Sequence, residues 1–129
     1  MFWLALVACA ATVPMASDAA RGAEPEKKAV TLIVDYGDGV QKRFTALAAA
    51  KDATVLDILN AAQKHARGIR FEFKGSGETG LLTKIDDLKN EGAGRNWIFR
   101  VNDKLGDRSF AIYPVQPGDV VLWKFGEYR

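Results

Sequence analysis

Residues 30–47 read VTLIVDYGDGVQKRFTAL. Val30, Leu32, Val34 and Tyr36 fall on one side of an alternating run, with Thr31 and Asp35 on the other. A period of two marks a half-buried strand. Gly37-Asp38-Gly39 then supplies residues that tolerate positive φ, so the chain turns back. Val40, Phe44 and Ala46, set against Gln41, Arg43 and Thr45, make the returning strand. The stretch predicts an N-terminal β-hairpin around which the rest has to be arranged.

Next comes a helix. Thr54-Val55-Leu56-Asp57 fits a capping box, in which the Thr54 hydroxyl and the Asp57 carboxylate take up the first free backbone N–H groups. Val55, Ile58, Leu59, Ala62 and Ala66 recur on one helical face. His65 and Arg67 suit the negative end of the helix dipole, and Gly68 suits the C′ position.

Beyond the helix the period returns to two. Ile69, Phe71 and Phe73 alternate with Arg70, Glu72 and Lys74. A glycine-rich loop, residues 75–80, follows. Residues 81–90 read equally as a short strand or a helical turn. Residues 96–102 form a strand with Trp97, Phe99 and Val101 on one face; residues 102–108 form a turn region and 110–113 a short extended piece. Pro117-Gly118-Asp119 turns into a last strand carrying Val121, Trp123 and Phe125. A hairpin, one helix and then further strands predict an α+β domain, a β-grasp-like mixed sheet packed on one helix.

The chain has 129 residues, 48% of them hydrophobic, which suits one domain with a real core. The formal charge is +2, with both signs interspersed. Lys27-Lys28 and Lys42-Arg43 are isolated pairs, so no basic stripe points to nucleic acid. Residues 1–13 are almost wholly apolar, and Pro14 and then Ala16, Ser17, Ala19 and Ala20 follow. That run is too short to span a bilayer and reads as a cleavable signal peptide over residues 1–19. Residues 20–29 read as a flexible tether and 30–129 as the domain. The expected location is extracytoplasmic, periplasmic or secreted. Leu6-Val7-Ala8-Cys9 is similar to a bacterial lipobox, which would make Cys9 a lipidated membrane anchor. Cys9 is the only cysteine, so the domain carries no disulfide, thiolate zinc site or cysteine nucleophile.

No catalytic set emerges. Gly75-Ser76-Gly77-Glu78-Thr79-Gly80 matches G-x-G-x-x-G, but the strand before it alternates, and Glu78 sits where a phosphate would go, so a turn is expected. His65 is the only histidine and lacks partners for nucleophilic or metal chemistry. The acid pairs Asp86-Asp87 and Asp35/Asp38 lie in loop-like places, where turn roles are expected before glycosidic ones. The chain is therefore expected not to be an enzyme and to hold no metal.

Trp97-Ile98-Phe99-Arg100-Val101-Asn102, then Ala111-Ile112-Tyr113-Pro114-Val115, then Pro117-Gly118-Asp119-Val120-Val121-Leu122-Trp123, resembles the bacterial family of transcobalamin-C-terminal-like domains. The start of the helix at Thr54 and the run Ile85-Asp86-Asp87-Leu88-Lys89-Asn90 fit the same pattern. The resemblance implies a β-grasp-like fold on an exported bacterial protein. In the animal cobalamin carriers the similar domain caps vitamin B12, which a second, all-helical domain mainly holds. Cobalamin is the cofactor this suggests.

The expected function is a non-catalytic binding module that takes a small ligand, cobalamin-like by resemblance, at one end of the sheet. A contact with an envelope protein is the alternative. The residues expected to bind are Trp97, Asn102, Asp107, Arg108, Ser109 and Tyr113, a polar rim near an apolar body in loops and strand ends. The leader is directly testable: intact mass of the membrane fraction should show cleavage after Ala19 with no acyl group. An acyl mass on a chain starting at Cys9 would establish the anchor instead.

Overall fold

The computed structural model describes residues 29–128. The leader, Cys9 and the tether up to residue 28 lie outside them. The elements are β1 (Ala29–Asp35), β2 (Gln41–Ala48), α1 (Val55–Lys64), β3 (Phe71–Lys74), a 3-10 turn (Gly77–Thr79), β4 (Leu81–Ile85), β5 (Leu88–Lys89), β6 (Asn96–Val101), β7 (Lys104–Leu105) and β8 (Val120–Gly126). The protein is thus a mixed α+β structure, mostly strands with one helix. Among the described residues no helix is long and apolar enough to cross a membrane.

Two sheets form where one was expected. The larger has the order β2-β1-β8-β6-β7 and the smaller β3-β4-β5. β1 runs antiparallel to β2 but parallel to β8, and β8 runs antiparallel to β6. Residues 81–90 resolve as the β4–β5 hairpin, because Asp86 adopts φ +52 at the turn. Residues 102–108 are likewise more than a turn. Asn102 and Asp103, both at positive φ, close a tight hairpin between β6 and β7.

The core is built from the in-facing positions of the large sheet, from α1, and from Leu82 and Ile85 of the small sheet. Val30, Leu32, Val34 and Val121 are fully buried, as their alternation predicts. Among the described residues no polar or charged residue is fully buried. Strand β2 departs from strict alternation. Val30 pairs with Leu47 and Leu32 with Phe44, so three residues of β2 lie against two of β1. That bulge buries Leu47 in place of the expected Ala46, and Val40 is left 55% exposed beyond the strand. In the small sheet the bulge lies on β4, where Thr83 is the extra residue, so Phe71 and Phe73 stay stacked on one side of β3, with Phe73 41% exposed and Phe71 only half-buried, whereas both were expected in the core.

The capping box of α1 is present. Asp57 N–H donates to Thr54 Oγ1 at 3.4 Å, and Thr54 N–H donates to Asp57 Oδ2 at 2.9 Å. Val55, Ile58, Leu59 and Ala62 are buried. Ala66 is exposed because the helix stops at Lys64, where His65 turns extended at ψ 147°. His65 and Arg67 therefore lie past the helix. Gly68 is required by close approach and not by positive φ: a Cβ there would sit 1.9 Å from the Ala62 carbonyl oxygen.

Residues 110–113, expected to be extended, instead form a turn in which Ile112 and Tyr113 N–H both donate to the Ser109 carbonyl. The reason lies in the helix. The first N–H groups of a helix have no partner inside it. Here Val55 N–H donates to Tyr113 O at 3.0 Å and Leu56 N–H to Phe110 O at 3.1 Å. The turn also drops Phe110, 2% exposed, onto Trp123. Thr54→Ala should cost about 1 kcal/mol in chemical denaturation. Ile58→Ala should cost roughly 2–5 kcal/mol, the larger loss because it opens a cavity under the sheet.

Candidate functional site

β1 ends at a turn in which two acids serve the backbone. Asp35 Oδ1 accepts from Gly37 N–H at 2.9 Å, and Asp38 Oδ1 accepts from Val40 N–H at 3.1 Å. Gly37 has φ +82, and a Cβ there would meet the Phe125 carbonyl oxygen at 2.5 Å, so only glycine fits. The turn leaves Tyr36 on the core side of the sheet at its very end. Its ring stands edge-on to Trp97, centroids 5.8 Å apart.

The small sheet meets Tyr36 from the other side. Asp86, at the β4–β5 turn, exchanges backbone bonds with Arg70: Asp86 N–H donates to Arg70 O at 2.8 Å, and Arg70 N–H donates to Asp86 Oδ1 at 3.0 Å. Its other oxygen, Oδ2, accepts the Tyr36 hydroxyl. Lys42 Nζ lies 3.5 Å from the same oxygen and donates to the Gly68 carbonyl at 3.3 Å. One carboxylate thereby clips the first hairpin to the small sheet. Beside the clip opens a groove of about 1140 Å³. Val40, Ile69, Phe71 and Leu88 give it apolar lining; Lys42, Arg70 and Lys84 on one hand, and Asp38, Glu72, Asp86 and Asp87 on the other, give it charge of both signs.

Burial, and then the bond to Asp86 and its negative charge, push the Tyr36 phenol well above the ordinary tyrosine value. Tyr36 is therefore a hydrogen-bond donor across the physiological range. Three of the four acids singled out in the sequence, Asp38, Asp86 and Asp87, line this groove. Asp35 instead holds Gly37 N–H and the Gln41 amide. Among the described residues no three His, Cys, Asp or Glu side chains gather where a metal ion could be held.

The six residues expected to bind are not brought together in one place. Trp97 is 6% exposed; its indole N–H donates to Leu88 O at 2.9 Å and its ring packs on Phe125. Asn102 lies at the opposite end of β6, where its amide joins Asp119 Oδ1 at 2.9 Å and accepts from Val120 N–H at 2.9 Å. Ser109 Oγ donates to Gly80 O at 2.7 Å and accepts from Ala111 N–H at 3.1 Å. Asp107, Arg108 and Tyr113 do assemble. Arg108 Nε sits 3.0 Å from Asp107 Oδ1, and its guanidinium lies 5.8 Å from the Tyr113 ring centre. That guanidinium holds the exposed Asp107 carboxyl below its ordinary value. Sequence reasoning missed Lys42, and it assigned Tyr36 only to the hairpin. No local spacing links Tyr36 to an acid 50 residues on.

The raised phenol has a consequence for stability. Unfolded tyrosine ionises at about pH 10, while folded Tyr36 keeps its proton to higher pH. Its contribution is fully present below about pH 10 and is lost as pH rises beyond that value. Denaturation midpoints of the wild type should accordingly fall more steeply above pH 10 than those of Tyr36→Phe. Parallel curves would show that the Tyr36–Asp86 bond is not formed in solution.

A solved protein of Ruminococcus gnavus ATCC 29149, described as a candidate metal-binding protein, is similar in fold, with a TM-score of 0.60 and 17% sequence identity. The match covers 79% of this chain and 99% of that one. No curated protein matches. Residues 52–127, from just before α1 to just past β8, match a family described as a domain of unknown function, and the chain belongs to that family, DUF4430.

Proposed function

We propose that this chain is an exported, non-catalytic binding module on a β-grasp-like fold, which takes a small organic ligand in the groove beside Tyr36. The observation that carries the reading is the groove itself. Its volume of about 1140 Å³ lies a little above the usual range of ligand pockets, about 300–1,000 Å³, and it combines apolar walls with charged donors and acceptors. The strand order β2-β1-β8-β6-β7, with the two central strands parallel and one helix on the inner face, supports the β-grasp assignment. The apolar leader supports export.

The lining suits a ligand with an apolar body and several neutral hydrogen-bonding groups. Val40, Phe71 and Leu88 would cover the body. Cations and carboxylates side by side would meet amide or zwitterionic groups better than a net charge of either sign. A corrin ring carrying amide side chains has that chemistry, so cobalamin, suggested also by the transcobalamin resemblance, is the first ligand to try. Such a ligand would bring its own metal.

Titration calorimetry with cyanocobalamin tests this. Saturable binding is expected, weakened at least tenfold, about 1.4 kcal/mol, by Phe71→Ala with Lys42→Ala. Arg108→Ala, away from the groove, should leave it unchanged. No heat at concentrations on the order of 1 mM would remove cobalamin as the ligand. Binding that Arg108→Ala abolishes would move the site to the loops around Tyr113.

A further inference from the structure

We propose that the outer face of the large sheet docks an acidic polypeptide segment with apolar side chains at its centre. Residues of β1, β2, β6 and β8 that alternate with the core point to this face. Register places them in rows across the sheet. Arg43, Ile33, Leu122 and Arg100 make one row, and Gln41, Asp35, Lys124 and Ile98 make the next. Helix α1 and the small sheet contribute to the core on the other side, so among the described residues no element covers these rows.

The centre of the face is apolar. Ile33, Leu122 and Ile98 are each half-buried, and Val120 is 38% exposed. Around them stand Arg43 and Lys124, both exposed. Among the described residues of these two rows the one carboxylate is Asp35, which accepts from Gly37 N–H and the Gln41 amide and pairs in register with Lys124. An apolar patch rimmed by cations selects a partner with the opposite rim, which is the charge complementarity that sets specificity at protein interfaces. A second copy of the chain is disfavoured because it would set the cations of one face against those of the other. A membrane surface is disfavoured because the apolar side chains lie within a flat sheet with no aromatic ring among them. Interfacial insertion needs side chains that reach about 5–10 Å into the headgroup boundary.

The proposal is independent of the groove, which opens on the core side at the sheet end. It is tested on the full chain with a fluorescein-labelled peptide of alternating Glu and Val. About eight residues suffice to cross four strands spaced about 4.8 Å apart. Saturable binding is expected, weakened by salt and reduced at least tenfold in Arg43→Glu with Lys124→Glu. Amide chemical shifts of Ile33, Leu122 and Lys124 should move while those of Tyr36 and Lys42 stay. Both substitutions are of exposed residues, and an unchanged circular dichroism spectrum keeps the comparison valid. Leu122→Ser, with the charges kept, should weaken binding as well. Equal binding of a Gln–Val peptide, shifts confined to the groove, or an unchanged affinity in the charge-reversed variant would overturn the proposal. So would association only with phosphatidylglycerol vesicles, or a concentration-dependent dimer without peptide binding.

Discussion

The parallel pairing of β1 with β8 is the constraint on which the rest of the structure depends. Thr31 to Asp35 lie beside Val120 to Lys124, so the two ends of the described chain share the centre of the large sheet. A parallel pair cannot be joined by a tight turn and needs a crossover. Here that crossover is nearly the whole domain: α1, the small sheet and the β6–β7 hairpin all lie between the partners. Of the chain between residues 36 and 119, β2, β6 and β7 join the large sheet itself, and α1 and the small sheet have to pack against its face. This places α1 and the small sheet against the core and leaves the outer face open. It also makes the domain rich in long-range contacts, a topology that closes late in folding.

Two local devices fix the intervening elements on that face. At one, the turn of residues 110–113 takes up the free N–H groups of Val55 and Leu56 and drops Phe110 onto Trp123. The start of the helix and the approach to β8 are thereby satisfied by the same few carbonyls. At the other, Asp86 joins Tyr36, Lys42 and the Arg70 N–H. A carboxylate with several donors and only partial exposure orders its neighbours more than it adds net stability, since its desolvation offsets much of the gain. The result is a polar clip beside the groove, and the Trp97 indole N–H, donating to the Leu88 carbonyl, joins the two sheets a second time.

The strands with clean alternation were legible. β1, β6 and β8 bury the residues their period of two predicts, and the Thr54–Asp57 capping box is where the sequence puts it. One departure has a clear physical cause. A bulge inserts one residue and reverses the faces beyond it, as at Ala46 and Leu47 in β2, and no residue type there announces it. The helix ends at Lys64, short of Gly68, because that glycine serves a close backbone approach to Ala62 and not the C′ position its place in the sequence suggests. Asn102 and Ser109 looked available for binding because polar residues in loops often are. In the structure their polar atoms secure Asp119, Val120 and Gly80.

Local pattern alone therefore determined the class of fold, the hairpin, the helix start and most of the core. Each rests on interactions within a few residues, which sequence records directly. Tertiary structure alone decided that β3, β4 and β5 form a separate sheet, that Asp86 meets Tyr36 and Lys42, and that the Trp97 indole is spent on the Leu88 carbonyl. Those outcomes depend on how two sheets pack. A site made between sheets gathers residues whose spacing along the chain carries no signal, because sheet packing and not chain distance brings them together.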